Sequence, residues 1–245
     1  MPWRWEEQAE NWVFWARSPN HDAFWDYAPA FYSLLPAPLG WTLEMGCGEG
    51  RVVRDLQQRG YRVVGLELSE TLVKYAARAD ANSLYVRGNA SSLPFANSSF
   101  DLVVAYNSLM DIEDMPGAVA ETARVLRSGG WLCVSVTHPL NDAGIFTTRE
   151  PDSPFVIEGS YLGKRDFEAR FEHDGLEMTF SGWAYPFEEY FSAFSEAGLL
   201  VDSLREPPAP PEVVEKDPAE RRWQRVPLFA QLRALKPSAQ SRLRR

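Results

Sequence analysis

Between residues 41 and 137, short apolar runs alternate with segments of helical spacing. No other feature of the 245-residue chain constrains its fold as strongly. Residues 41–45 are an apolar run that ends in glycines, and residues 51–58 set Val52, Val53 and Leu56 on one helical side before Gly60. Residues 61–66 read as a second buried strand. Ser69 is a helix cap for residues 70–79. Residues 83–86 give a third, weaker strand, and residues 100–106 a fourth. A helix over 115–126 ends at Ser128-Gly129-Gly130, and a fifth strand follows over 131–137. Continuous apolar strands separated by helices predict a parallel sheet covered on both faces.

The regularity breaks after His138. Residues 155–161, 167–172 and 176–183 look like strands, divided by Gly163 and by the hairpin pair Asp174-Gly175. Pro186 opens a helix over 187–197, and residues 199–204 give a sixth core strand. Residues 206–211 hold four prolines and read as an extended connector. A seventh core strand is expected within 226–235. The predicted fold is α/β: a Rossmann-like, seven-stranded, mostly parallel sheet with helices on both faces. It carries an N-terminal helical cap over residues 1–40 and a β insertion over 139–185, a substrate wall, after the fifth strand. The nucleotide-type core spans 41–138, and 186–245 hold the last helix, the final strands and a basic tail.

Hydrophobic residues make up 45% and charged residues 24% of the chain, which is ordinary for a globular protein. No apolar run approaches the ~18 residues of a membrane span, and the acidic start (Glu6, Glu7, Glu10) is unlike a secretory signal. Cys47 and Cys133 form no CxxC pair, so two reduced thiols in a cytoplasmic protein are expected. The net charge of -9 argues against a general nucleic-acid binder. Residues 206–245 carry +4 and the body -13, so the tail is either a solvated surface or a contact for an anionic partner. Trp3, Trp5, Trp12, Trp15 and Trp25 crowd the front beside acids rather than bases, which fits helices packed over a pocket better than a membrane surface.

Glycines in Leu43-Glu44-Met45-Gly46-Cys47-Gly48-Glu49-Gly50 end a strand and open a helix, where a backbone can turn tightly and a ligand approach closely. A dinucleotide site needs GxGxxG, but the last glycine position holds Arg51. Glu44 would repel a diphosphate and suits a ligand with ammonium and sulfonium charges. Glu67 follows Gly46 by 21 residues, at a strand end where a carboxylate can accept from both ribose hydroxyls. Asn89, in Gly88-Asn89-Ala90, can bond an adenine edge or form a turn.

This block resembles motif I of class I S-adenosylmethionine-dependent methyltransferases, in the subgroup with a type 11 methyltransferase domain. Further matching pieces are Gly65-Leu66-Glu67-Leu68-Ser69, Leu93-Pro94-Phe95-Ala96, Ser99-Phe100-Asp101-Leu102-Val103-Val104 and Arg124-Val125-Leu126-Arg127-Ser128-Gly129-Gly130. The resemblance runs from about Leu43 to His138, with a weaker echo at Tyr190-Phe191 and Gly198-Leu199. Two residues depart from the family pattern: Asn89 stands where Asp is common, and Ser128 where Pro is common. The resemblance implies S-adenosylmethionine as cofactor and S-adenosylhomocysteine as product. It implies that Gly46, Cys47, Gly48 and Gly50 form the loop under the methionine part, which Glu44 helps to organise. Glu67 and Leu68 would meet the ribose, Asn89 and Ala90 the adenine, and Tyr106 and Asn107 the methionine side.

Methyl transfer from a sulfonium mainly needs alignment of the acceptor. A general base adds to this when the acceptor carries a proton. His138, just past the fifth strand, is the candidate base; the alternative is a strand-end residue that orients Pro139 and the insertion. Asp111 and Glu113 are either substrate contacts or solvated acids. His21-Asp22 is either a functional pair or a helix cap. No spacing of His, Cys and acids suggests a metal. The leading expectation is a small-molecule methyltransferase without membrane association. RNA or protein methylation is the second reading, and a non-catalytic cofactor-binding module the third. An oxidoreductase is disfavoured by Arg51 and Glu44.

Overall fold

The computed structural model describes residues 4–18 and 21–238, so Trp3 and the end of the basic tail (Arg242, Arg244, Arg245) lie outside the described residues. Three helices lead: α1 (Arg4–Glu7), α2 (Ala9–Arg17) and α3 (Phe24–Tyr32). The core follows as β1 (Trp41–Met45), α4 (Arg51–Gln58), β2 (Arg62–Glu67), α5 (Glu70–Ala79), β3 (Leu84–Arg87), β4 (Phe100–Tyr106), α6 (Met115–Val125) and β5 (Leu126–Thr137). The insertion carries β6 (Gly144–Phe146), β7 (Phe155–Ile157), β8 (Arg165–His173) and β9 (Leu176–Ala184). The chain ends with α7 (Phe187–Glu196), β10 (Leu200–Arg205), α8 (Pro211–Lys216) and β11 (Phe229–Leu235).

The seven-stranded sheet has the order β10-β11-β5-β4-β1-β2-β3. β1 to β5 pair in parallel, and β11 runs antiparallel between β5 and β10. The order reverses at β1, so the crevice beyond the carboxyl ends of β1 and β4 is the place for a ligand in such a sheet. Alternate side chains of each strand face opposite layers. Val103 and Ala105 pack with Met115, Ala118, Val119, Tyr190 and Phe194 of α6 and α7. Leu102, Val104 and Tyr106 pack with Phe24 and Phe31 of α3 and with Val52, Val53 and Leu56 of α4.

Helix α3 is therefore a layer of the core as well as part of the cap. Phe24 and Phe31 are wholly buried, a contribution of roughly 1.5–3 kcal/mol each. Ser69 caps α5 by accepting from the Leu72 N–H. Strand β5 starts at Leu126, earlier than the expected residue 131, because a register shift pairs Leu126 with Phe100 and Trp131 with Leu102. In the insertion, β8 and β9 form one long hairpin, turned by Asp174 (φ 50°) and Gly175 (φ 77°), while β6 and β7 form a separate short pair. The proline stretch is shorter than expected: Pro211 already starts α8, where its missing N–H costs no helical hydrogen bond. No helix among the described residues is long and apolar enough to cross a membrane.

Candidate cofactor and acceptor site

The glycine loop leaves β1 in the left-handed region: Gly46 has φ 73° and Gly48 φ 54°. A Cβ on Gly46 would lie 2.5 Å from the Ser108 Cβ, so this turn excludes any side chain. A Cβ on Gly48 would lie 3.1 Å from the Trp12 indole nitrogen. Trp12 of α2 thus sits directly over the loop. Gly50 is the residue ahead of α4. Cys47 is buried, and its sulfur packs where Gly65 of β2 leaves room.

The Glu67 carboxylate accepts from the Gly48 N–H at 3.0 Å, the Leu68 N–H at 2.8 Å and the Ser69 N–H at 2.9 Å. Burial pushes its carboxyl up, and these three donors oppose the shift. Two of the donors use Oε1, so Oε2 keeps capacity for a hydroxyl. Leu68 is partly exposed beside it. Ala90 is buried, whereas Asn89 is exposed and its Oδ1 accepts from the Ser91 N–H at 2.9 Å. The Asn89 amide group thereby closes a local turn through the oxygen expected to meet adenine.

Glu44 lies between Leu43 and Met45 and points to the face covered by α3 and α4. One of its oxygens is buried without a partner among the described residues, as are the Tyr106 hydroxyl and one Arg51 nitrogen. Burial holds the Glu44 carboxyl well above its ordinary range, and the Arg51 charge opposes this. Arg51 donates to Asp22 at 2.6 Å, and its guanidinium lies over the rings of Phe24 (4.0 Å) and Trp12 (5.1 Å). Asn107, with φ 51°, accepts from the Ser135 hydroxyl at 2.7 Å.

A zwitterionic amino-acid tail fits these unpartnered groups. A buried carboxyl and a buried guanidinium, each short of one hydrogen bond, complement an ammonium and a carboxylate.

Both flanking segments stand at this end of the sheet and touch each other. Glu6 of α1 accepts from the Ser69 hydroxyl, and Glu49 pairs with Arg17 of α2 and with Arg54, each at 2.7 Å. Trp12 and Trp15 meet Phe180 of β9 edge to face, and Arg4 pairs with Asp166 of β8. The hairpin tip brings His21 beside His173 and Asp174, with potential ligand atoms within 4.8 Å of one another. Sequence spacing had no means of showing this grouping, because residue 21 is far in sequence from 173 and 174.

His138 stands where expected, but both ring nitrogens are engaged. Nδ1 accepts from the Leu140 N–H at 3.0 Å, and Nε2 faces the Glu206 carboxylate at 2.8 Å. Burial lowers its pKa, against the pull of Glu206. A ring bonded this way has no lone pair left for an acceptor proton. Asp111 packs against the insertion hairpin. It ends the short 3-10 turn after β4, with Oδ1 2.6 Å from the point where a Cβ on Gly182 of β9 would stand. Glu113 lies farther along, and the Tyr185 hydroxyl donates to the carbonyls of Ile112 and Glu113.

Residues 43–134 match the family model described as "Methyltransferase domain". This segment is a methyltransferase domain. The match agrees with the S-adenosylmethionine cofactor expected from the loop. The domain is similar to a malonyl-(acyl-carrier protein) O-methyltransferase of Pectobacterium atrosepticum, 33% identical over 99 residues, which are 40% of this chain and 39% of that protein. It is also similar to a demethylmenaquinone methyltransferase of Lactococcus lactis, 33% identical over 106 residues, 40% of this chain and 42% of that protein. The chain spans about two fifths of the length of these curated relatives. The crystal structure of an S-adenosylmethionine-dependent methyltransferase from Mesorhizobium loti superposes with a TM-score of 0.70 over 87% of this chain and 98% of that one, at 23% identity. That likeness shows that the fold around the domain is the same.

Proposed function

We propose that the chain is an S-adenosylmethionine-dependent methyltransferase acting on a small molecule. The observation that carries this reading is the group of unpartnered polar atoms on Glu44, Arg51 and Tyr106 around the glycine loop. The relatives named above support methyl transfer, and one of them is a demethylmenaquinone methyltransferase. Gly46, Cys47, Gly48 and Gly50 shape the loop. Arg51 takes the cofactor carboxylate, and Glu44, with Tyr106 and Asn107 nearby, faces the methionine side. Glu67 accepts a ribose hydroxyl beside Leu68, and Asn89 and Ala90 border the adenine. The cofactor supplies a methyl group on a good leaving group. The protein holds the acceptor in line and excludes water through Trp12 and the hairpin. Residues 139–185 serve as the substrate wall and residues 1–40 as the cap.

We assign His138 a positioning role: Nε2 ties the end of β5 to Glu206 at the start of the proline connector, and Nδ1 holds the turn at Leu140. The net charge of -9 makes a nucleic acid a poor acceptor. Two buried, unpaired cysteines support a reducing, cytoplasmic setting. A screen of small-molecule acceptors with S-adenosylhomocysteine release as readout tests the reading. Turnover with at least one small molecule supports it. Turnover only with RNA or protein, or none with any acceptor despite cofactor binding, rejects it.

A further inference from the structure

Two of the chain's three histidines meet away from the glycine loop. His21 stands in the link between α2 and α3, and His173 closes β8 at the hairpin tip. The β8–β9 ladder runs from Arg165 opposite Ala184 to His173 opposite Leu176, and carries the tip back to the cap. There the two imidazole rings lie 4.3 Å apart, centroid to centroid. Asp174 follows at the turn, and one ligand atom from each of the three residues lies within 4.8 Å of the others. His21 is half-buried, whereas His173 and Asp174 are exposed.

We propose that His21, His173 and Asp174 bind a zinc ion that fastens the hairpin tip to the cap. Two imidazoles and one carboxylate are a mixed nitrogen and oxygen set of the kind zinc accepts, with water as the fourth tetrahedral ligand. Ligand atoms in such a site stand roughly 3.3 Å apart, given metal–ligand lengths of about 2.0–2.1 Å. Side-chain rotation at the two exposed positions closes the remaining gap. Adjacent residues of an extended strand point to opposite faces. The turn removes that obstacle: with φ 50° at Asp174 and 77° at Gly175, the chain leaves the strand right after His173, so both neighbours reach His21.

His21 is oriented from two sides. Its Nε2 lies 3.2 Å from the His173 carbonyl oxygen, and its ring meets Trp15 of α2 at 89°, with centroids 5.3 Å apart. An imidazole that donates one N–H to a carbonyl carries its lone pair on the other nitrogen, the usual arrangement of a metal-bound histidine. The Asp174 carboxylate supplies the negative charge that two neutral imidazoles lack. The cap already holds the hairpin at Asp166, through Arg4, and at Phe180, through Trp12 and Trp15. The ion fixes the remaining end. Its role is structural, and it acts next to Asp22, which holds Arg51.

Equilibrium dialysis of the full chain, free of any affinity tag and stripped with EDTA, tests this with zinc chloride and, separately, magnesium chloride. The parent is expected to take up one zinc ion per chain at micromolar concentration and no magnesium, which prefers oxygen ligands. His21→Gln, His173→Gln and Asp174→Asn should each weaken zinc uptake about tenfold or more. His173 and Asp174 are exposed, and Asn tolerates the left-handed backbone at 174, so these two variants should keep the parent's melting temperature in EDTA. Zinc should raise the melting temperature of the parent and leave that of the variants unchanged. No zinc uptake, equal uptake of magnesium, or zinc uptake unchanged in any of the three variants would each overturn the proposal.

Discussion

The Asp22 carboxylate accepts a 2.6 Å hydrogen bond from the Arg51 guanidinium, and this pair joins the cap to the helix that follows the glycine loop. Both side chains are largely buried, at 13% and 12% exposure. The pair fixes where the remaining Arg51 nitrogen points. Asp22→Ala should cost roughly 1–3 kcal/mol, because it strands a buried guanidinium. A melting curve should show the loss, and S-adenosylhomocysteine affinity should fall with it. Unchanged affinity would detach the cap from the cofactor site.

Gly48→Val places a branched side chain against Trp12 in a backbone region that disfavours it. The affinity for S-adenosylhomocysteine should drop by about tenfold or more, while the far-ultraviolet circular dichroism stays that of the parent. Parental affinity in this variant would mean that the loop is only a turn.

Asp142 gives a pH prediction whose sign is fixed. Its carboxyl titrates near about 7 in the folded chain, above the ordinary value of 3.8. Between those values the folded state binds more protons than the unfolded state, so this group makes stability fall as pH rises through that window. Asp142→Asn removes the penalty. The variant should melt a few degrees higher than the parent at pH 8 and show no gain at pH 4. A melting temperature lowered at pH 8 would contradict this.

His138→Asn tests the positioning role. Asn can keep one of the two hydrogen bonds but cannot act as a base. The pH–rate profile should keep its shape, and any loss of turnover should track the loss of thermal stability. A lost basic limb of the profile, or a drop of about a hundredfold with stability intact, would restore His138 as the base.

The parts of the fold legible in the sequence are those with strict periodicity. β1, α4 and β4 start and stop where the apolar spacing and the glycines place them. Helix α3 was harder to read as a core layer, since its aromatic face has no strand beside it in sequence and its partners, from Val52 to Tyr106, come from distant segments. The proline connector concealed α8, because Pro at a helix start looks the same in sequence as Pro in an extended strand. For the site, local signals exposed the glycine loop and Glu67. The contacts of Trp12 with Gly48, and of Asp111 with Gly182, depend on tertiary structure and leave no local pattern. The engaged ring of His138 is of the same kind: its partner Glu206 lies 68 residues away.

The central claim is that the glycine loop and Glu67 hold S-adenosylmethionine, and one titration tests it most directly. S-adenosylhomocysteine is titrated calorimetrically into the parent and into Glu67→Ala, with NAD as a control ligand. The parent should bind S-adenosylhomocysteine and show no comparable heat with NAD. Glu67→Ala should bind it more weakly by roughly 1.5–3 kcal/mol, the worth of a hydrogen bond to a charged group. Equal affinity in parent and variant, or preference for NAD, would contradict the account.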